Sequence, residues 1–166
     1  CVEDIEPLLI QNPPVKVFNK IGYQHRSVGF FSDQSIGYPY SGQIMNSQQL
    51  TDNLNNLLQE TNILFQSNYN GILVNKYING EDYIGAHSDD EKSLDKSGVV
   101  ALSFGEPRKF RIRSKKDKTI VIDIPTEQGL YYQMGGDFQK EFTHEIPVQK
   151  NIKDIRYSFT FRKHRF

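Results

Sequence analysis

Ile155-Arg-Tyr-Ser-Phe-Thr-Phe-Arg162 is the stretch on which the fold turns. Side chains alternate sides along a strand, so Ile155, Tyr157, Phe159 and Phe161 share one face, while Arg156, Ser158, Thr160 and Arg162 share the other. The alternation predicts a β-strand with one face turned to a core. Taken alone, its polar side is an ordinary solvated strand face. Two arginines framing two hydroxyls also make a donor-rich floor for a carboxylate, because the planar guanidinium meets both carboxylate oxygens.

Strand-type segments recur upstream at short spacing: residues 143–148, 130–134, 99–104 and 71–78, the last followed by a turn at Asn79-Gly80. Residues 110–113 and 119–124 flank 114–118 as a hairpin. Residues 15–18 and 28–31 are also of β type, and a turn-rich passage leads to Gly42. The first 14 residues end in Pro13-Pro14 and read as a lead-in segment. One helix is predicted, over residues 47–65. Leu50, Leu54, Leu57 and Leu58 form its apolar stripe, and Ser47 is its expected N-cap. The order predicts a mostly β, α+β chain: a β-sandwich or jelly roll with a flanking helix. At 166 residues, without repeats or long linkers, it is expected to be a single domain over 1–166.

A single cysteine, Cys1, excludes an internal disulfide framework and reads as intracellular chemistry. The chain opens on Cys1 rather than Met, which reads as N-terminal trimming. No apolar run approaches the roughly 20 residues of a membrane span, and no stretch reads as a signal peptide. The 20 basic and 20 acidic side chains cancel to zero. That sum hides a partition. Residues 1–105 carry 6 basic and 12 acidic residues; residues 106–166 carry 14 and 8. Residues 108–118 (RKFRIRSKKDK) hold seven basic side chains in eleven, so neutrality does not exclude a nucleic-acid partner.

His87-Ser-Asp89 places a histidine and a carboxylate at i and i+2, on one face if the segment is a strand. His144 follows 55 residues later, at a predicted strand, and Arg156 twelve residues beyond that. Two histidines and one carboxylate are the facial triad of non-haem Fe(II) oxygenases, which leaves coordination positions open. His25 and His164 lack such partners and read as surface residues. Together, triad and arginine match the pattern of 2-oxoglutarate/Fe(II) dioxygenases.

At this level of detail the chain resembles the AlkB family of nucleic-acid dealkylases, and within it the animal DNA-repair members. The family's Arg-x-Asn-x-Thr-x-Arg motif is similar to Arg156–Arg162 here, with Ser158 in place of Asn. Asn75-Lys-Tyr77, His87-Ser-Asp-Asp-Glu91 and Leu102-Ser-Phe-Gly105 extend the similarity over most of residues 17–165. The resemblance implies a double-stranded β-helix (jelly-roll) core, with Fe(II), 2-oxoglutarate and dioxygen as cofactors. It implies His87, Asp89 and His144 as iron ligands, and Asn75, Tyr77, Arg156, Ser158, Thr160 and Arg162 around 2-oxoglutarate. Tyr38, Tyr40 and Ser41, from a segment similar to the family's Tyr-x-Phe-Ser-Gly, are implied at the base, with Asp90, Glu91 and Arg26. Phe18 and Lys150 are implied as nucleic-acid contacts, and Arg108 and Lys109, from the basic run itself, are expected to hold phosphates.

The activity so implied is oxidative demethylation of N-alkylated bases, such as 1-methyladenine and 3-methylcytosine, in DNA or RNA, with release of formaldehyde, succinate and carbon dioxide. Two alternatives remain open: a 2-oxoglutarate-dependent hydroxylase of a protein or small molecule, and a non-catalytic β-sandwich that binds nucleic acid through residues 108–118. The protein is further expected to be a monomer with no membrane partner, intracellular, and nuclear in a eukaryotic source.

Overall fold

The computed structural model describes residues 2–17, 19–40, 43–92 and 94–165. Cys1, Phe18 and Ser41 lie outside the described residues. A short helix α1 (Val2–Ile5) leads to β1 (Ile10–Gln11), the hairpin β2 (Pro14–Val17) and β3 (Lys20–Tyr23), β4 (Ser27–Phe31), and a second hairpin of β5 (Gly37–Tyr40) and β6 (Gln43–Asn46). The long helix α2 (Asp52–Phe65) precedes β7 (Gly71–Tyr77), β8 (Ile84–His87), β9 (Leu94–Gly105), β10 (Lys109–Ser114), β11 (Val121–Pro125) and β12 (Tyr131–Met134). Then come α3 (Phe138–Glu141), β13 (Phe142–Ile146) and β14 (Arg156–His164).

Two antiparallel sheets carry the fold. The larger has the order β1-β4-β7-β14-β9-β12, and the smaller β11-β10-β13-β8. Tyr77, Val99 and Met134 of the larger sheet pack with Phe110 and Ile146 of the smaller, so the two face each other as the expected jelly roll. On the opposite face of the larger sheet, Ile72, Val74, Tyr157, Phe159 and Phe161 pack under Leu54 and Leu58 of α2. Among the described residues, no helix is long and apolar enough to cross a membrane.

β14 lies inside the larger sheet, hydrogen-bonded to β7 on one side and β9 on the other. Every residue from Arg156 to Arg162 is therefore buried, including the polar side that an amphipathic strand would give to water. The register sets Arg156 opposite Tyr77 and Ser158 opposite Asn75 on β7. On β9, Ser103 stands opposite Ser158 and Gly105 opposite Arg156. Gly105 has a φ of +100°, and a Cβ there would lie 2.4 Å from the Ile155 carbonyl oxygen. Only glycine allows β9 to turn away so close to the start of β14.

α2 begins at Asp52, five residues later than the leucine stripe predicts. Residues 47–50 are held in extended form instead: Gln48 exchanges backbone hydrogen bonds with Phe30 and Ser32, and the Leu50 N–H donates to Asp33. The cap is Thr51, not Ser47. Its hydroxyl accepts the Leu54 N–H at 3.2 Å. Thr51→Ala is expected to cost about 1 kcal/mol, read as a lower urea midpoint with an unchanged slope.

The expected hairpin in the basic stretch is present, with β10 and β11 in register from Lys109↔Pro125 to Arg113↔Val121. Arg111 spends its charge on Asp123 across that pair, through two hydrogen bonds of 2.8 and 3.0 Å.

Candidate active site

Antiparallel register places His144 of β13 directly opposite His87 of β8, which brings together histidines far apart in sequence. Asp89 follows two residues after β8 ends, in a loop rather than on the strand. Its backbone N–H is held by Gln139 Oε1 at 2.8 Å. One ligand atom from each of the three residues lies within 4.8 Å of the others. Asp89 Oδ1 is 3.7 Å from His87 Nε2, and Asp89 Oδ2 is 3.7 Å from His144 Nε2. These gaps are too long for hydrogen bonds. They are short enough for three donors to share one ion at about 2.1 Å from each.

The imidazoles are prepared for that role. His87 Nδ1–H donates to the Gly85 carbonyl at 2.7 Å, which leaves the Nε2 lone pair facing Asp89. His144 sits among the rings of Phe110, Phe138 and His87, at centroid distances of 5.4, 5.9 and 4.3 Å. Burial, with the neighbouring His87, lowers its pKa from 6.5 to about 4, against the pull of Asp89. Burial pushes the Asp89 carboxyl up, but Arg162, His144 and His87 outweigh it and hold the group below its ordinary value. A neutral pair of imidazoles and an ionised carboxylate is the state that ligates a divalent cation.

A pH dependence follows for the metal-free protein. Between pH 6.5 and about 4 the unfolded chain takes up a proton at His144 that the folded chain refuses. Stability is therefore full above pH 6.5 and falls as the pH drops through this window, by on the order of 3 kcal/mol in total. Chemical denaturation across pH 4–7, compared with His144→Phe, measures the slope, which the variant is expected to lack.

Behind the cluster lies a cavity of about 290 Å³. Arg156 is fully buried in its wall. Nε donates to Ser103 Oγ at 2.9 Å and Nη2 to Tyr132 OH at 3.3 Å, while Nη1 has no partner among the described residues. The guanidinium groups of Arg156 and Arg108 lie over the Tyr77 ring, 5.4 and 5.5 Å from its centre. Burial raises the Tyr77 phenol above its ordinary pKa, so it remains a hydrogen-bond donor at neutral pH. Asn75, Ser158, Thr160 and Arg162 line the same cavity, as do Tyr38, Tyr40, Asp90 and Arg26. Arg26 Nε donates to Asn75 Oδ1 at 2.8 Å.

Several sequence expectations are corrected here. Glu91 does not face a base: its side chain is only 2% exposed and is bonded to Arg162 and His164. Arg108 is buried and cannot hold phosphate, because its guanidinium donates to the carbonyls of Asn79, Asp82 and Pro147. His164 is a buried residue rather than a surface one. His25 is exposed as expected and stacks on Tyr83. Lys109 and Lys150 are exposed, and neither lines the cavity. The sequence reading missed Ser103 and Tyr132, which orient Arg156. Ser103 had a signal: it is the lone hydroxyl in the apolar run 99–104, and it stands opposite Ser158 on the polar side of β14.

Residues 6–162 match the sequence profile of the 2OG-Fe(II) oxygenase superfamily. The chain belongs to that superfamily. It is 28% identical over 157 residues to the human DNA oxidative demethylase ALKBH2, covering 90% of this chain and 60% of that one. It is 36% identical over 103 residues to the human alpha-ketoglutarate-dependent dioxygenase alkB homolog 3, covering 57% and 36% of the two chains. Thus the chain spans about three fifths or less of these relatives. The solved structure of OsALKBH1 shares the fold, with a TM-score of 0.61 at 16% identity over 98% of this chain and 90% of that one.

The site fits what a 2OG-Fe(II) oxygenase needs. Two imidazoles and one carboxylate converge on a point, without hydrogen bonds between them that a metal would have to break. Among the described residues Arg156 Nη1 has no partner, and a buried guanidinium with a spare donor fits a carboxylate such as those of 2-oxoglutarate.

Proposed function

We propose that this chain oxidatively removes methyl groups from N-alkylated nucleic-acid bases, such as 1-methyladenine and 3-methylcytosine, in DNA or RNA. The observation that carries the reading is one cavity shared by the His87, Asp89 and His144 cluster, the spare donor of Arg156, and the walls of Tyr38 and Tyr40. Similarity to a DNA oxidative demethylase over 90% of the chain supports it. The chain acts as one catalytic unit.

Fe(II) with 2-oxoglutarate and dioxygen supplies the oxidation that converts an N-methyl group to N-hydroxymethyl, lost as formaldehyde, while 2-oxoglutarate becomes succinate and carbon dioxide. The protein supplies placement and charge. His87, Asp89 and His144 would hold the metal, and Arg156 would meet a carboxylate of the cosubstrate in the same cavity. Tyr77, Asn75 and Thr160 line its path. Tyr38 and Tyr40 offer ring faces to a base, and stacking of this kind is worth about 1–3 kcal/mol. Asp90, exposed at the cavity edge, puts a negative charge beside a base that methylation has made cationic.

A methylated ring nitrogen cannot be reached inside a duplex, so the base is extruded or presented on a single strand. Lys109, Lys115, Lys116 and Lys118 are exposed on the β10–β11 hairpin, where they can follow a phosphate backbone without reading sequence. The test supplies purified protein with Fe(II), 2-oxoglutarate, ascorbate and methylated single-stranded or duplex oligonucleotides. Demethylation with stoichiometric formaldehyde is expected, and none from His87→Ala. Succinate release that methylated DNA and RNA leave unchanged would instead place the substrate among proteins or small molecules.

A further inference from the structure

Behind the metal ligands lies a buried chain of ionisable groups that the mechanism leaves unused. Past Asp89 the backbone turns, closed by the Leu94 N–H on the Glu91 carbonyl at 3.0 Å, and Glu91 points inward. Its Oε1 accepts from Arg162 Nη1 at 2.7 Å, and its Oε2 lies 3.0 Å from His164 Nε2. All three side chains are 2% exposed or less. His164 Nδ1 meets Ser35 Oγ at 2.8 Å, and the His164 backbone N–H is held by Asn70 Oδ1 at 2.9 Å. Its ring stacks on Phe30 at 5.2 Å and lies 10° from parallel with Tyr38. The imidazole has no freedom to swing.

Arg162, at the other end of Glu91, reaches both halves of the site. Its Nη1 is 4.0 Å from Asp89 Oδ1, its Nη2 donates to Thr160 Oγ1 at 3.0 Å, and its guanidinium lies 5.0 Å over the Tyr38 ring. Its Nε is buried without a partner among the described residues. Glu91 therefore has a competing place to go. With His164 in place, one carboxylate oxygen is committed to the imidazole and only the other is available to Arg162. Without it, the freed oxygen can rotate toward Arg162 Nε and draw the guanidinium away from Asp89. Burying such ions is costly, and apolar side chains of the same volume would secure a strand end at least as well.

We infer that His164 is a positioning residue: through Glu91 it fixes Arg162 between the metal ligand Asp89 and the Tyr38 wall. The inference rests on the iron-dependent reading above, and its first readout needs no substrate. Mn(II) alone, titrated by electron paramagnetic resonance, is expected to bind His164→Leu about tenfold more weakly than the wild type. His164→Gln, whose amide N–H can still reach Glu91 Oε2, is expected to stay within about threefold. Succinate release should follow the same order, with kcat falling more than the KM for 2-oxoglutarate rises.

Wild-type Mn(II) affinity in His164→Leu, or equal losses in both variants, overturns the inference. If His164→Leu does not fold, Ser35→Ala carries the test by freeing the ring in place, with a loss of about threefold expected and none overturning the idea. A wild type that binds Mn(II) but demethylates no oligonucleotide removes the proposed function and leaves the role of His164 to be judged on the Mn(II) data.

Discussion

Asp89→Asn is expected to fold normally and to bind Fe(II) at least about a hundredfold more weakly, with turnover lost. The amide keeps the shape of the side chain, and the backbone N–H keeps its bond to Gln139, but the one negative charge between two imidazoles is removed. Removing a buried carboxylate normally strands its cationic partner. Here Arg162 keeps Glu91 at 2.7 Å, so no naked charge is left behind. The burial cost of the Asp89 carboxylate also disappears. Stability should therefore move by no more than about 1 kcal/mol, while metal affinity collapses. Mn(II) binding and thermal melting on one preparation measure both. An Asn variant with wild-type affinity would remove Asp89 from the ligand set.

The second large effect belongs to Arg156. Arg156→Met is expected to raise the KM for 2-oxoglutarate by about a hundredfold, because two charge-assisted hydrogen bonds worth roughly 1.5 kcal/mol each are lost. Mn(II) affinity should not change, since Arg156 makes no contact with the three ligands. Arg156→Lys keeps the charge but replaces a planar fork with a point, and Ser103 and Tyr132 are placed for the fork. It should recover only part of the loss. Steady-state kinetics in 2-oxoglutarate at saturating metal decide the matter. Equal losses of metal and cosubstrate binding would mean that Arg156 supports the fold and not the ligand.

Most strands of the two sheets were legible in the sequence because period-two patterning and turn residues agree along most of the chain; β1 and β8, which are short and lack that patterning, were not. β14 shows how far that goes. Alternation sorts its residues into two faces correctly, but it cannot say that the polar face is covered; that depends on β7 and β9 both pairing with it. The start of α2 was misplaced for a similar reason. Ser47 is as good a cap as Thr51 by type, and only the pairing of Gln48 with Phe30 and Ser32 disqualifies it.

Within the site, the spacing of His87, Asp89, His144 and Arg156 pointed to a metal triad with a carboxylate-binding arginine, and the family resemblance then implied the ligand set. Arg108 was misread because a charged residue in a charged run looks solvated, and Glu91 because the resemblance set it beside Asp90 at the base. Nothing local reveals that three carbonyls await the Arg108 guanidinium, or that the chain turns inward at Glu91. His164 was misread for want of a neighbour. Its partners, Ser35 and Glu91, lie 129 and 73 residues away in the chain.

β8 is an edge strand, supported by β13 alone, and its register slips between His144 and Ile146. The two histidines face each other across that weak seam. An ion held by both would do with side chains what a further strand would have done with backbone, and close the margin of the smaller sheet. On the proposed reading, metal occupancy and the local rigidity of β8 would rise and fall together.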